Sequence, residues 1–159
     1  MSAANGLQLL LVEDDPIHAR IIRHVVQRSG CLAGLIHVKD GESAIRLLLH
    51  QDEQASTLPH LVVLDIQLPR VDGFGVLTRI RACHYCQHIP VVIVSTSNQP
   101  DDIDRGYRAG ANAYLCKSPD FDVFAERLTH MCRFWQAVEL PYRPVGPYRP
   151  RRGDDGGPR

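Results

Sequence analysis

Leu61-Val62-Val63-Leu64-Asp65 is a short apolar run that stops at a carboxylate. Hydrophobicity without alternation predicts a strand covered on both faces, as in a parallel sheet. Working outward, four more runs read the same way: Leu7–Val12 and Leu32–Val38 before it, Val91–Val94 and Ala113–Cys116 after it. Helical patterns separate them. Ile17, Ile21 and Val25 share a face, as do Ala44 with Leu48 and Leu77 with Ile80. The last pattern carries the clearest stripe, Phe121, Phe124, Leu128, Met131, Trp135 and Val138. Asp40-Gly41, Asp72-Gly73 and Gly110 supply turns and caps. Five β/α alternations predict an α/β fold, a doubly wound parallel sheet of five strands with right-handed crossovers. In such sheets ligands sit beyond the carboxyl ends of the strands.

The 159 residues suit one domain, and 44% hydrophobic content is enough for a full core. Eighteen basic and eighteen acidic residues cancel, leaving no global field to draw nucleic acid or an acidic membrane. No apolar run approaches the ~20 residues of a membrane span. Five irregularly spaced cysteines suit reduced thiols in a cytoplasmic protein better than a disulfide framework. The expected division is a domain over 1–140 and a Pro/Arg/Gly-rich extension over 141–159, with no output domain. The extension repeats Pro141-Tyr142-Arg143-Pro144 as Pro147-Tyr148-Arg149-Pro150 and cannot bury a core. Its arginines are diluted by Asp154 and Asp155, so no nucleic-acid contact is expected.

Chemistry is sought at the strand ends. Glu13-Asp14-Asp15 follows the first strand, Asp65 ends the third, Ser95-Thr96-Ser97 the fourth, and the fifth runs into Lys117. Two carboxylates at ~5 Å with an effective dielectric of ~20 repel by roughly 3 kcal/mol. Mg²⁺, which takes one or two carboxylates plus waters and phosphate oxygens, relieves that repulsion. Without it, at least one acid should have a raised pKa. A hydroxyl and an ammonium opposite the acids suit a phosphoryl group on Asp65. The same acids would repel the phosphate of a flavin, which excludes the flavin-binding alternative on this architecture. Asp15 before Pro16 reads as a helix cap.

Four segments in order carry a resemblance: Leu-Leu-Val-Glu13-Asp14-Asp15-Pro, Leu-Asp65-Ile-Gln-Leu-Pro69 with Asp72-Gly73, Val-Ser95-Thr96-Ser97, and Gly-Ala-Asn-Ala-Tyr114-Leu-Cys-Lys117. From Leu7 to Val138 the chain resembles the receiver domain of two-component response regulators. The resemblance implies a flavodoxin-like strand order 2-1-3-4-5 and a single-domain regulator phosphorylated on Asp65 by a histidine kinase. It implies Mg²⁺ bound directly by Asp14 and Asp65, through water by Glu13, and by the Gln67 carbonyl. Ser95 then hydrogen-bonds the phosphoryl group, Lys117 pairs with it, and Tyr114 changes rotamer as the signal. Ser118 stands where the family usually has a cis proline after the lysine. A cis bond at a non-proline residue costs ~3–4 kcal/mol, so the Lys117 loop is expected to be built differently.

Ser-Thr-Ser, Phe134-Trp135 and Glu139-Leu140-Pro141 resemble the stand-alone regulators that partner bacterial phytochromes. That likeness implies a homodimer through the last helix and the C-terminal extension, with Phe134, Trp135 and Leu140 at the interface. No enzyme with a separate substrate is expected, only phosphoryl transfer to the chain itself and autodephosphorylation. A metal-dependent phosphatase using Asp65 would need a second acid two residues on, where Gln67 stands, and a cap insertion. A phosphorylation-independent scaffold is the other alternative, and the intact acidic set argues against it. Cys83-His84-Tyr85-Cys86 with His88 lacks the second pair of a zinc site and reads as a plain loop. Cys31, Cys116 and Cys132 read as small core residues.

Overall fold

The computed structural model describes residues 6–49 and 58–141. Its parallel strands are β1 (Leu7–Val12), β2 (Leu32–Val38), β3 (Leu61–Leu64), β4 (Val91–Ser95) and β5 (Ala113–Cys116). Helices α1 (Pro16–Arg28), α2 (Gly41–Leu49), α3 (Gly73–Ala82), α4 (Pro100–Arg108) and α5 (Phe121–Ala137) alternate with them. The sheet order is β2-β1-β3-β4-β5, as expected. It reverses direction between β1 and β3, which opens a crevice at their carboxyl ends.

Side chains alternate across the sheet and build two cores. Leu10, Val12, Val62, Leu64 and Ile93 pack with Ala44, Leu48, Leu77 and Ile80 of α2 and α3. Leu9, Leu11, Val63, Val92 and Val94 pack with Ile22, Val26, Phe124, Leu128 and Cys132 of α1 and α5. Each fully buried aliphatic side chain contributes about 1.5–3 kcal/mol, so the three inner strands anchor the fold.

Local chemistry sets where the helices begin. Asp15 caps α1, its Oδ1 accepting from the amides of Ile17 (2.8 Å) and His18 (3.2 Å), and Pro16 follows at the first helical position. Asp72 caps α3 through the Gly75 amide at 2.8 Å, and Asp120 caps α5 through the amides of Asp122 and Val123. Gly73 is required by close approach. A Cβ there would lie 2.2 Å from the Asp65 carbonyl oxygen and 2.6 Å from the Ile66 Cα.

Several sequence expectations are corrected. Strands β2 and β5 are sheet edges whose two faces pack against the cores only in part, so their residues are half-buried or exposed. Cys116, on the β5 edge, is therefore half-buried, whereas Cys31 and Cys132 are core residues. In α1, Val25 is core and Ile21 packs half-buried against it, as expected, but Ile17 is 68% exposed and Ala19, Ile22 and Val26 complete the face. Phe121 is exposed as well: a helical side chain leans over the preceding turn, and the first residue of α5 has none beneath it. Val138 is the extended C-cap of α5 rather than part of its stripe. The Cys83–Cys86 segment is a turn after α3, with Cys86 buried in the core. Trp135 and Leu140 lie half-buried against the α1/α5 core, and Phe134 is exposed. The extension beyond Pro141, with Tyr142 and Tyr148, lies outside the described residues.

Candidate metal and phosphoryl site

Four of the five strands bring a polar residue to the crevice: Glu13 after β1, Asp65 after β3, Ser95 at the end of β4 and Lys117 after β5. Backbone bonds extend the sheet past the strand ends: the Asp65 amide donates to Val12 O (3.0 Å), the Glu13 amide to Val38 O (3.1 Å), and the Lys117 amide to Ser95 O (2.7 Å). This fixes Glu13, Asp65 and Lys117 on one rim. Glu13, Asp65 and Ser95 are buried to 4% exposure or less, and the Lys117 side chain to 5%.

The lysine is the hub. Its Nζ donates to Glu13 Oε2 at 2.6 Å, to Asp65 Oδ2 at 3.0 Å and to His18 Nδ1 at 3.0 Å. Among the described residues no peptide bond is cis, so Lys117–Ser118 is trans and the lysine still reaches Asp65. The remaining carboxylate oxygens are held by the backbone. Glu13 Oε1 accepts from the Asp15 amide at 3.1 Å, and Asp65 Oδ1 from the Gln67 amide at 3.1 Å.

The electrostatics are strained by burial. Burial pushes the Glu13 carboxyl up to about 7 and the nearby Asp65 charge adds to this, outweighing the hydrogen bond and attraction of Lys117. The raised pKa was expected at Asp14 or Asp65 from like-charge repulsion; the acid raised is instead Glu13, and desolvation is the larger cause. One ammonium shared by two buried acids leaves an excess of negative charge when both are ionised.

Asp14 completes the donor set. It is exposed, and oxygens of Glu13, Asp14 and Asp65 lie within 4.8 Å of one another, the metal-suited grouping found among the described residues. Two buried carboxylates and one exposed to solvent fit Mg²⁺, a hard ion that keeps several waters.

On the far side of Asp65 the buried Ser95 Oγ accepts from the Ser97 amide at 3.2 Å. Thr96 Oγ1 donates to Gln67 Oε1 at 3.2 Å, tying the β3 and β4 loops together. Tyr114 turns inward, its hydroxyl donating to Ser97 O at 2.9 Å. Burial raises its phenol pKa, which keeps it a donor. Its ring lies where Gly106 leaves room: a Cβ at 106 would come 3.1 Å from Tyr114 Cδ2.

The structure thus brings Glu13, Asp14, Asp65, Gln67, Ser95 and Lys117 to one rim and Tyr114 beside it. Phe134, Trp135 and Leu140 belong to the α5 end of the chain. Sequence reasoning missed His18. Its signal was the Asp15-Pro16 cap, which fixes the start of α1 and turns the third helical residue toward the strand ends.

Known proteins carry the same pattern. Residues 9–129 match the response regulator receiver domain. Response regulator Rcp1 of Synechocystis sp. is 35% identical over 135 residues, covering 84% of this chain and 92% of the relative. A probable methanogenesis regulatory protein, FilR2 of Methanothrix harundinacea, is 33% identical over 135 residues, covering 85% and 87%. The crystal structure of the phosphorylated cyanobacterial phytochrome response regulator RcpA superposes with a TM-score of 0.79 at 31% identity, covering 86% of this chain and 99% of that one. The Mn²⁺-bound form of Rcp1 superposes at 0.77 with 34% identity and the same coverage. With its sheet order, acidic rim and buried lysine, the chain belongs to the receiver-domain family of two-component response regulators.

Proposed function

We propose that Asp65 accepts a phosphoryl group from a histidine kinase, with Mg²⁺ held by Asp14, Asp65 and the Gln67 carbonyl, and through water by Glu13. The observation that carries this is the buried Asp65 carboxylate, bonded to Lys117 and grouped with two further acids beside an open edge. When bound, the cation screens the acids and withdraws charge from the phosphoryl oxygens. An Asp65 oxygen forms the new bond to phosphorus as the P–N bond of the donor phosphohistidine breaks, its electron pair leaving on the imidazole. Lys117 moves from the carboxylate to a phosphoryl oxygen, and Ser95 donates its hydroxyl to another. The product adds close to two negative charges at the rim. Tyr114 then exchanges its bond to Ser97 for another rotamer, a population shift that changes the surface of α4, β5 and α5.

Two relatives whose names tie them to phytochromes or red light support a phytochrome-type kinase as donor. The working unit we favour is the domain over 1–140 with its extension, dimerising through α5 and turning over its own acyl phosphate, without nucleic acid. The exposed Phe134, set edge-on to Trp135 at 5.1 Å, supports that contact. Gln67, where a phosphatase would carry a second acid, donates and accepts within the loops and supplies no base.

The test is phosphotransfer from phytochrome-type and other histidine kinases with radiolabelled ATP, on wild type and Asp65→Asn. Label on wild type and background on Asp65→Asn is the expected result. Equal label on both removes Asp65 from the reaction.

A further inference from the structure

We propose that His18 is a positioning residue that tethers the Lys117 ammonium beside Asp65; this rests on the reading of Asp65 as acceptor. An ammonium has three hydrogens and no lone pair, and Lys117 Nζ has three acceptors: Glu13 Oε2, Asp65 Oδ2 and His18 Nδ1. Because Lys117 can only donate, Nδ1 must present its lone pair and the ring proton sits on Nε2. The lysine side chain is only 5% exposed, so it depends on these protein acceptors rather than on solvent.

The three acceptors are not equivalent. Glu13 and Asp65 belong to the metal grouping, and their oxygens are called on by the cation and the phosphoryl group. His18 belongs to α1, outside that grouping, and its acceptor is neutral. A hydrogen bond between an ammonium and a carboxylate is roughly twice as strong as a neutral one. The imidazole therefore holds the lysine in place while leaving it ready to exchange a carboxylate for a phosphoryl oxygen.

The placement of His18 is built in. The Asp15 carboxylate accepts the His18 amide at 3.2 Å, while the Asp15 amide donates to Glu13 Oε1 at 3.1 Å. One capping residue thus orients both the tether and the acid on either side of the ammonium.

The experiment compares wild type, His18→Leu, which fills similar space without an acceptor, and His18→Asn, which sets an amide oxygen near the Nδ1 position. Two readouts are taken on the full chain: the side-chain nitrogen NMR signal of Lys117, and the rate of labelling by phosphoramidate with Mg²⁺. We expect His18→Leu to shift or broaden the Lys117 signal and slow labelling by about 3- to 10-fold, the worth of one hydrogen bond. His18→Asn should restore both, and Mg²⁺ affinity should be equal in all three. A Lys117 signal and rate unchanged in His18→Leu, or an Asn variant as slow as Leu, overturns the tether. If wild type takes no label, the acceptor reading fails, and the Lys117 signal alone then decides: lost in Leu and regained in Asn supports the tether, unchanged overturns it.

Discussion

The carboxyl ends of β1 and β3 and the β5 side of the molecule are built on opposite plans. At the first, Glu13, Asp65 and Lys117 are sealed from water, and both oxygens of each carboxylate accept a protein hydrogen bond. At the second, every residue of β5 is half-buried and Tyr114 is anchored by its hydroxyl to one carbonyl and by its amide to Tyr107. Phe134, on α5, is 57% exposed. A saturated polar cluster in a low dielectric is stiff and costly to disturb. An edge with few buried contacts opens for little free energy. The difference assigns chemistry to the inner strands and response to the edge.

The contrast is broken most severely by Lys117→Met, which leaves two buried acids without their cation. Without Mg²⁺, urea unfolding should show a loss of about 3–5 kcal/mol. Added Mg²⁺ should recover part of it, and a loss under 1 kcal/mol would mean the rim is far more solvated than its burial suggests. Next, Asp14→Ala should abolish Mg²⁺ stabilisation, about 2.7 kcal/mol for wild type at a hundredfold excess over Kd. Melts with and without Mg²⁺ check this; a variant stabilised as much as wild type would move the cation elsewhere. On the edge, Tyr114→Phe should cost only about 0.5–1.5 kcal/mol, one hydrogen bond, in the same urea assay. A cost equal to that of Lys117→Met would erase the distinction between the two regions. Smallest in stability is Phe134→Glu, expected within about 0.5 kcal/mol as an exposed substitution. If the proposed dimer forms, light scattering should show it become a monomer in this variant; a monomeric wild type ends the idea, and a dimer indifferent to the change places the contact elsewhere.

The sheet order came from the resemblance, but strand positions were legible because the inner strands are buried on both faces and announce themselves as apolar runs. The same signal misled at β2 and β5, where Ile36 is as apolar as Val63 yet lies on an edge strand at 45% exposure. Apolar residues report that a strand exists, not how many neighbours it has. The α1 face was misread only at its start, where Ile17 is exposed although apolar and the smaller Ala19 faces the core. In the site, Glu13, Asp65, Ser95 and Lys117 were legible from their places after apolar runs. His18 was not, because it reaches the rim from a helix, and only the cap geometry of Asp15 shows which way the first turn faces. A raised pKa was looked for at Asp14 or Asp65; that it falls on Glu13, and mainly through desolvation, needed the burial that coordinates reveal.

Gly73 carries a consequence for any library made from this scaffold. The helix that follows the acceptor strand starts so close to Asp65 that even one methyl group would overlap its carbonyl oxygen. Position 73 touches neither the carboxylate nor the cation, yet in saturation mutagenesis it should tolerate as few letters as the acceptor itself. The failure there would come from displaced backbone rather than lost chemistry. A screen that scores activity alone would count Gly73 among the reacting residues, and only a parallel score for folding would separate the two.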